Sequence, residues 1–264
     1  MEKFNKNEYL KNEIMFQSRH QFIYAQDNKK RNNFIEELDI SFPIKVDNNE
    51  PMSVVLDISA FSNNNVEDDK LNSITREYMA FIIIYSLIKK SINCVGYEEL
   101  NNRSEKLFKI LNNGYVNDNK EIINTSEFVS ALEESIEFYK NFYISIVNGQ
   151  PTLKTVDDLT LPFLQLEYFI TLYKRLLNIG SHFSIIINNS DSLDEYMVRA
   201  INSLIYARIN KDISVKVFLA PGTWKSFASF NGQFIESIHD YGTLELDDSY
   251  RQYTRKLVKN SDEI

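Results

Sequence analysis

The sequence predicts an α/β protein, a parallel sheet of about five strands with helices on both faces and a helical insertion near residues 93–150. Three observations carry this. Phe183 to Ile187 and Val215 to Leu219 are short, β-branched apolar runs, the pattern of strands buried on both faces. Between them Leu193, Met197, Ala200, Ile201, Leu204 and Arg208 recur at intervals of three and four, which makes a helix with one apolar face. The same succession of strand, polar tip, helix and strand occurs at residues 21–58, so two βαβ units with parallel strands frame the chain.

Taken in order, Gln21 to Ala25 is a strand and Gln26 to Arg31 a polar, basic loop. Phe34, Ile35 and Leu38 place a short helix from about Asn32 to Leu38. Asn48-Asn49-Glu50-Pro51 is a turn before the strand Met52 to Ile58. Asp69 to Ser91 is a long helix with Leu71, Ile74, Tyr78, Ile82, Tyr85 and Ile88 on one face. A looser helical segment, Asn93 to Val116, breaks at Asn112-Asn113-Gly114. Glu127 to Asn148 carries Phe128, Leu132, Ile136, Tyr139 and Tyr143 at helical spacing. Leu161-Pro162 opens a further helix to Asn178, with Gly180 as its stop. Tyr241 to Leu246 reads as a last strand and Tyr250 to Lys259 as a basic helix. The expectation is one domain over residues 1–264, with the 93–150 segment inserted in it.

Composition narrows the function classes. A formal net charge of −8 over 264 residues disfavours broad binding to nucleic acid, which needs dense positive charge. The single cysteine, Cys94, allows no internal disulfide and no cysteine-based zinc cluster, and it reads as a small buried hydrophobe. The N-terminal residues are polar and mixed in charge, unlike a signal peptide. The apolar run Met79 to Ile88 is too short to span a bilayer. A soluble, cytoplasmic protein with no membrane contact is the expectation.

In open parallel sheets, ligands sit at the carboxyl ends of the strands. Here those ends carry Lys29, Lys30 and Arg31 after the first strand, Asn188, Asn189 and Asp191 after the third, and Thr223 after the fourth. A phosphate-binding loop needs G-x-x-x-x-G-K-[ST]: glycines let the backbone N–H groups wrap the phosphates, lysine reaches the outer phosphates, and the hydroxyl holds Mg²⁺. Ala25 to Asn32 has the position and the basic residues but neither glycine nor hydroxyl, and Asp27 adds negative charge. The strand at 184–187 is followed by Asn188 and Asn189, where a hydrolysing site carries acids. Asparagine ligates Mg²⁺ weakly and cannot act as a base, though Asp191 could partly substitute.

This order of parts resembles a P-loop ATPase of the AAA class, closest to the ORC/Cdc6-like type, over residues 21–58 and 160–248. The resemblance implies a P-loop NTPase-like sheet, with Lys29 or Lys30 at the phosphate loop, Asn188-Asn189 at the Walker B position, Thr223 near the polar sensor and Arg208 on the intervening helix. It also implies that hydrolysis has been lost. The reading that follows is a pseudo-ATPase acting as a regulatory or assembly subunit through protein contacts. It has no required cofactor, and its partner is a protein, most plausibly an active ATPase of similar fold. The alternatives are an ATP- and Mg²⁺-binding enzyme using Lys29 or Lys30, Asp191 and Arg208, and a DNA-associated factor in replication or defence. Net charge counts against the DNA-associated reading. The expected absence of room after residue 248 for the family's lid and winged-helix parts counts against it too.

Each of these signals also has a plainer reading. Lys29-Lys30-Arg31 is equally the composition of a solvated turn, and Asn188-Asn189 of a turn and helix cap. His20, His182 and His239 are scattered and make no metal-binding pattern. His239-Asp240 fits a hydrogen bond at a strand end better than an acid–base pair. Trp224 reads as core, and the basic face of Arg251, Arg255, Lys256 and Lys259 as a solvated surface.

Overall fold

The computed structural model describes residues 6–58, 69–114, 121–149, 166–178, 182–207, 213–237 and 239–247. In chain order its elements are α1 (Lys6–Phe16), β1 (His20–Tyr24), α2 (Asn28–Ser41), β2 (Met52–Asp57), α3 (Asp69–Val95), α4 (Tyr97–Gly114), α5 (Thr125–Val147), α6 (Leu166–Leu176), β3 (Phe183–Asn188), α7 (Glu195–Ala207), β4 (Ile213–Leu219) and β5 (Tyr241–Glu245). The chain forms two compact units. One comprises Met1–Phe42, Pro51–Ser59 and His182–Ile264, and the other Pro43–Glu50 and Ala60–Ser181.

The first unit holds one five-stranded sheet in the order β2-β3-β4-β1-β5, with every pairing parallel. This is the α/β fold read from the sequence. Strand alternation sends neighbouring side chains to opposite faces. Ile23, Ile186 and Phe218 lie on one face with Ile14 and Met15 of α1 and Phe34, Ile35 and Leu38 of α2. Each such fully buried side chain contributes about 1.5–3 kcal/mol. Phe22 points the other way, its ring 5.1 Å from Trp224 and 4.6 Å from Tyr241, both edge-on. Trp224 is therefore packed on the sheet. Asn202 of α7 is fully buried and donates from Nδ2 to the carbonyls of Ser226 and Ala228, tying that helix to the Trp224 segment.

Two helices differ from the sequence reading. α1 was not expected at all. Its inward positions, Leu10, Ile14 and Met15, are few, and the rest of the helix is polar apart from the exposed Tyr9 and Phe16. α2 begins at Asn28, so Lys29, Lys30 and Arg31 form its first turn instead of a loop. The cause is Asp27, whose carboxylate accepts the Lys30 N–H at 3.0 Å and caps the helix.

The second unit is helical. Phe81 stacks on Tyr139 between α3 and α5, and Phe128 of α5 sits between Phe108 of α4 and Phe169 of α6. The expected 93–150 segment lies in this unit with α3 and α6. Asp47 accepts from both terminal guanidinium nitrogens of Arg103, at 2.8 and 3.3 Å, and from the Asn178 amide at 2.9 Å. Those bonds hold Asp47 in a left-handed conformation at φ 53°. α3 runs on past Ser91, the last fully buried position, so Cys94 is exposed on its final turn and not buried as expected. The apolar stretch is also longer than Met79 to Ile88. Leu71–Val95 is long and apolar enough to cross a membrane, with half of that window buried inside the protein. A core helix of a soluble protein meets the same criterion.

Candidate functional site

The carboxyl ends of β1, β3, β4 and β5 converge in the first unit, where an open parallel sheet places its ligands. Only three residues, Ala25, Gln26 and Asp27, link β1 to α2. So short a link cannot wrap a phosphate chain as a glycine-rich loop does. The amino end of α2 does offer N–H donors and a positive dipole end, the ordinary features of an anion site.

Protein groups already take some of the donors at this end of the sheet. The Gln26 N–H goes to Asp247 Oδ2 at 3.1 Å and the Lys30 N–H to Asp27 Oδ1. Lys30 Nζ donates to the Leu246 carbonyl at 3.0 Å, closing the end of β5 onto α2. Arg31 is 2% exposed. Its Nη2 donates to Asn28 Oδ1 at 2.7 Å and forms an ion pair with Asp191 Oδ2. Nη1 reaches the Ala25 carbonyl at 3.5 Å, and Nε has no partner. Lys29 is exposed to solvent.

Asp191 sits in a 3-10 turn, Ser190–Ser192, directly after β3. Asn189 enters that turn in the left-handed region, at φ 55°, a conformation that its short polar side chain tolerates. Asn188 closes β3 and accepts the Asn189 N–H at 2.9 Å from its own side chain. Ser190 Oγ donates to the Phe218 carbonyl, fixing the turn to β4. Asp191 Oδ1 then accepts the Ala220 N–H at 2.6 Å and Thr223 Oγ1 at 2.8 Å. One carboxylate thus joins the ends of β3 and β4 to the first turn of α2.

The structure therefore brings Lys30, Arg31, Asn188, Asn189, Asp191 and Thr223 to one end of the sheet, with Lys29 on the adjoining turn. Arg208 lies outside the described residues, as does the basic helix expected at Tyr250 to Lys259. The cap of α7 is Asp194, which accepts the Met197 N–H at 2.9 Å, and not the Asn188-Asn189 pair. Asp240 is buried and accepts the Glu236 N–H at 2.7 Å, while His239 faces solvent. Among the described residues no group of three His, Cys, Asp or Glu side chains is placed to hold a metal ion.

The sequence reading missed one unusual group, Lys216. It is fully buried in β4, and its Nζ donates to the carbonyls of Gln17 and Arg19 and to Gln21 Oε1, at 2.7–2.8 Å. Three acceptors and no donor around the nitrogen match an ammonium group. Burial pushes its pKa down from the ordinary lysine value to about 7, opposed by the charge of Glu13. A lysine inside an otherwise apolar strand was the available signal. Nearby, at the opposite end of the strands from Asp191, Glu13, Gln17, Arg19, Gln21, Tyr241 and Gly242 line an open cavity of about 380 Å³.

What the strand ends can do chemically is limited. Asn188 and Asn189 are neutral, and Asp191 is engaged on both oxygens, so no described carboxylate of β3 or its turn stands ready to hold Mg²⁺ or polarise water. No curated protein and no solved structure matches the chain. The model of one family, ORC-CDC6-like, matches residues 54–260, well over half of the sequence. The match starts inside β2, so β1, the link and α2 precede it. With a P-loop NTPase-like sheet beneath that match, the chain belongs to the ORC-CDC6-like family.

Proposed function

We propose that this protein is a catalytically degenerate member of its family. It works through protein contacts as a regulatory or assembly subunit, and its partner is an active ATPase of similar fold. The observation that supports this reading is the engagement of several donors at the strand ends by the protein's own groups. Arg31 is held by Asp191, Lys30 by the Leu246 carbonyl, the Gln26 N–H by Asp247, and the end of α2 by Asp27. Asparagines stand where a base and a Mg²⁺ ligand are required.

A second reading keeps ATP binding, in an AAA-type ATPase serving DNA replication or defence. It rests on Lys29, which is exposed on the first turn of α2 and able to swing toward a nucleotide. Calorimetry with ATP and ADP, with and without Mg²⁺, separates the two when run beside a Lys29→Ala/Lys30→Ala variant and a turnover assay. The regulatory reading expects no heat at millimolar nucleotide and no phosphate release. Micromolar binding that the double variant loses would replace it with the ATP-binding reading.

A further inference from the structure

We propose that Asp191 is a built-in occupant of the anion place at the strand ends, and that removing its carboxylate opens this place to inorganic phosphate. The inference rests on the non-hydrolysing reading above and adds the residue that keeps the site closed. Arg31 is a buried cation at the amino end of a helix, beside the carboxyl ends of a parallel sheet, and all three features favour a negative group there. A buried guanidinium must be neutralised by something. The group that does so is not a ligand but Asp191, which reaches it from the turn after β3.

The donors around Asp191 are those a phosphate would use. Its two oxygens collect a guanidinium from the first turn of α2, and a backbone N–H from Ala220 and the Thr223 hydroxyl from the turn after β4. A tetrahedral oxyanion accepts from the same kinds of group. With Asp191 in place, a phosphate entering the site would meet a fixed negative charge, and the guanidinium Nη2, the Ala220 N–H and the Thr223 hydroxyl already engaged. With Asp191 truncated, Arg31, Ala220 N–H and Thr223 Oγ1 would be left around a vacated space, with Arg31 Nε as one more buried donor.

The experiment compares thermal unfolding in phosphate and in chloride of equal ionic strength for wild type, Asp191→Ala, and Arg31→Met/Asp191→Ala. Phosphate at ten times its Kd should raise the Asp191→Ala midpoint by about 4 °C, and should leave wild type and the double variant unmoved. An equal rise in wild type overturns the proposal, because the place is then already open. No rise in Asp191→Ala, or an equal rise in the double variant, overturns it as well. Should Asp191→Ala fail to fold, refolding is read instead. Recovery of cooperatively unfolding protein in phosphate but not chloride supports the proposal, and failure in both overturns it. Nucleotide binding by wild type would sink the regulatory reading, whereas an unresponsive Asp191→Ala beside an unresponsive wild type sinks only this inference.

Discussion

Arg31 and Asp191 are 160 positions apart in sequence, yet they form an ion pair that joins the first turn of α2 to the turn after β3. Arg31 is 2% and Asp191 24% exposed at the side chain, so the pair is shielded mainly on the arginine side. Removing one partner of such a pair strands the other charge. Arg31→Met should therefore cost about 3 kcal/mol in urea unfolding. The Arg31→Met/Asp191→Asn double variant should cost less than the two single changes summed, by about 1–3 kcal/mol of coupling. Additive costs would mean that the two residues act independently and that the pair does not hold the strand ends together.

Asp27 is a helix cap in this arrangement, which reverses the meaning it has in the sequence. Beside an expected phosphate it reads as a repulsive charge, but on α2 it satisfies the Lys30 N–H. Asp27→Ala should cost about 1 kcal/mol, and Asp27→Ser or Asp27→Asn much less. Equilibrium unfolding of the three variants checks this. Equal stability of Asp27→Ala and wild type would mean that the first turn of α2 is held by other contacts.

The sheet was legible because its strands are continuous apolar runs with punctuation at both ends. Pro221 and Gly222 after β4, and Asn189 after β3, mark turns that the structure contains. The residue types at the strand ends were legible too, since loops at that edge are where any parallel sheet gathers its polar tips. Their pairing was not. Nothing in Lys29-Lys30-Arg31 distinguishes the arginine that turns inward from the lysines that stay outside. That follows from α2 starting at Asn28, which places Arg31 in the same helical stripe as Phe34, Ile35 and Leu38. α1 has a weak periodic signal because its three inward residues are interleaved with polar residues and with the exposed Tyr9 and Phe16, and the core it packs on is built from segments distant in sequence.

Asp47 makes a pH-dependent contribution in the helical unit. Hydrogen bonds from Arg103 and then Asn178 hold its carboxyl below the ordinary 3.8. Depression of a carboxylate pKa on folding contributes stability that is present above the unfolded value and lost as pH falls through the folded one. Asp47→Asn tolerates the left-handed backbone and removes the charge together with one of the two acceptor oxygens. The variant should be less stable than wild type near neutral pH, and the two should converge below the ordinary carboxylate range. A difference that stays constant across that range would assign the effect to shape and not to ionisation.

Lys216 predicts a rise of stability with pH as well, but on the alkaline side. Its folded pKa is lowered to about 7, while the unfolded chain keeps the ordinary 10.5. Between these values the unfolded state binds more protons than the folded state, so this group makes stability rise with pH across the window. Below about pH 7 both states are protonated and the burial cost is fully present. Lys216→Met removes the titration. It also leaves the Gln17 and Arg19 carbonyls without their donor, which loosens the end of α1. Wild-type stability minus that of Lys216→Met should accordingly be larger at pH 9.5 than at pH 7, as read by urea unfolding at both values (about two and a half units inside the window). Faster amide exchange in α1 of the variant at either pH should accompany it, because the lost bonds anchor that helix whatever the charge on the lysine. A pH-independent stability difference would mean that Lys216 keeps its proton throughout, held by its three acceptors. Unchanged exchange in α1 would mean that the lysine does not secure the helix.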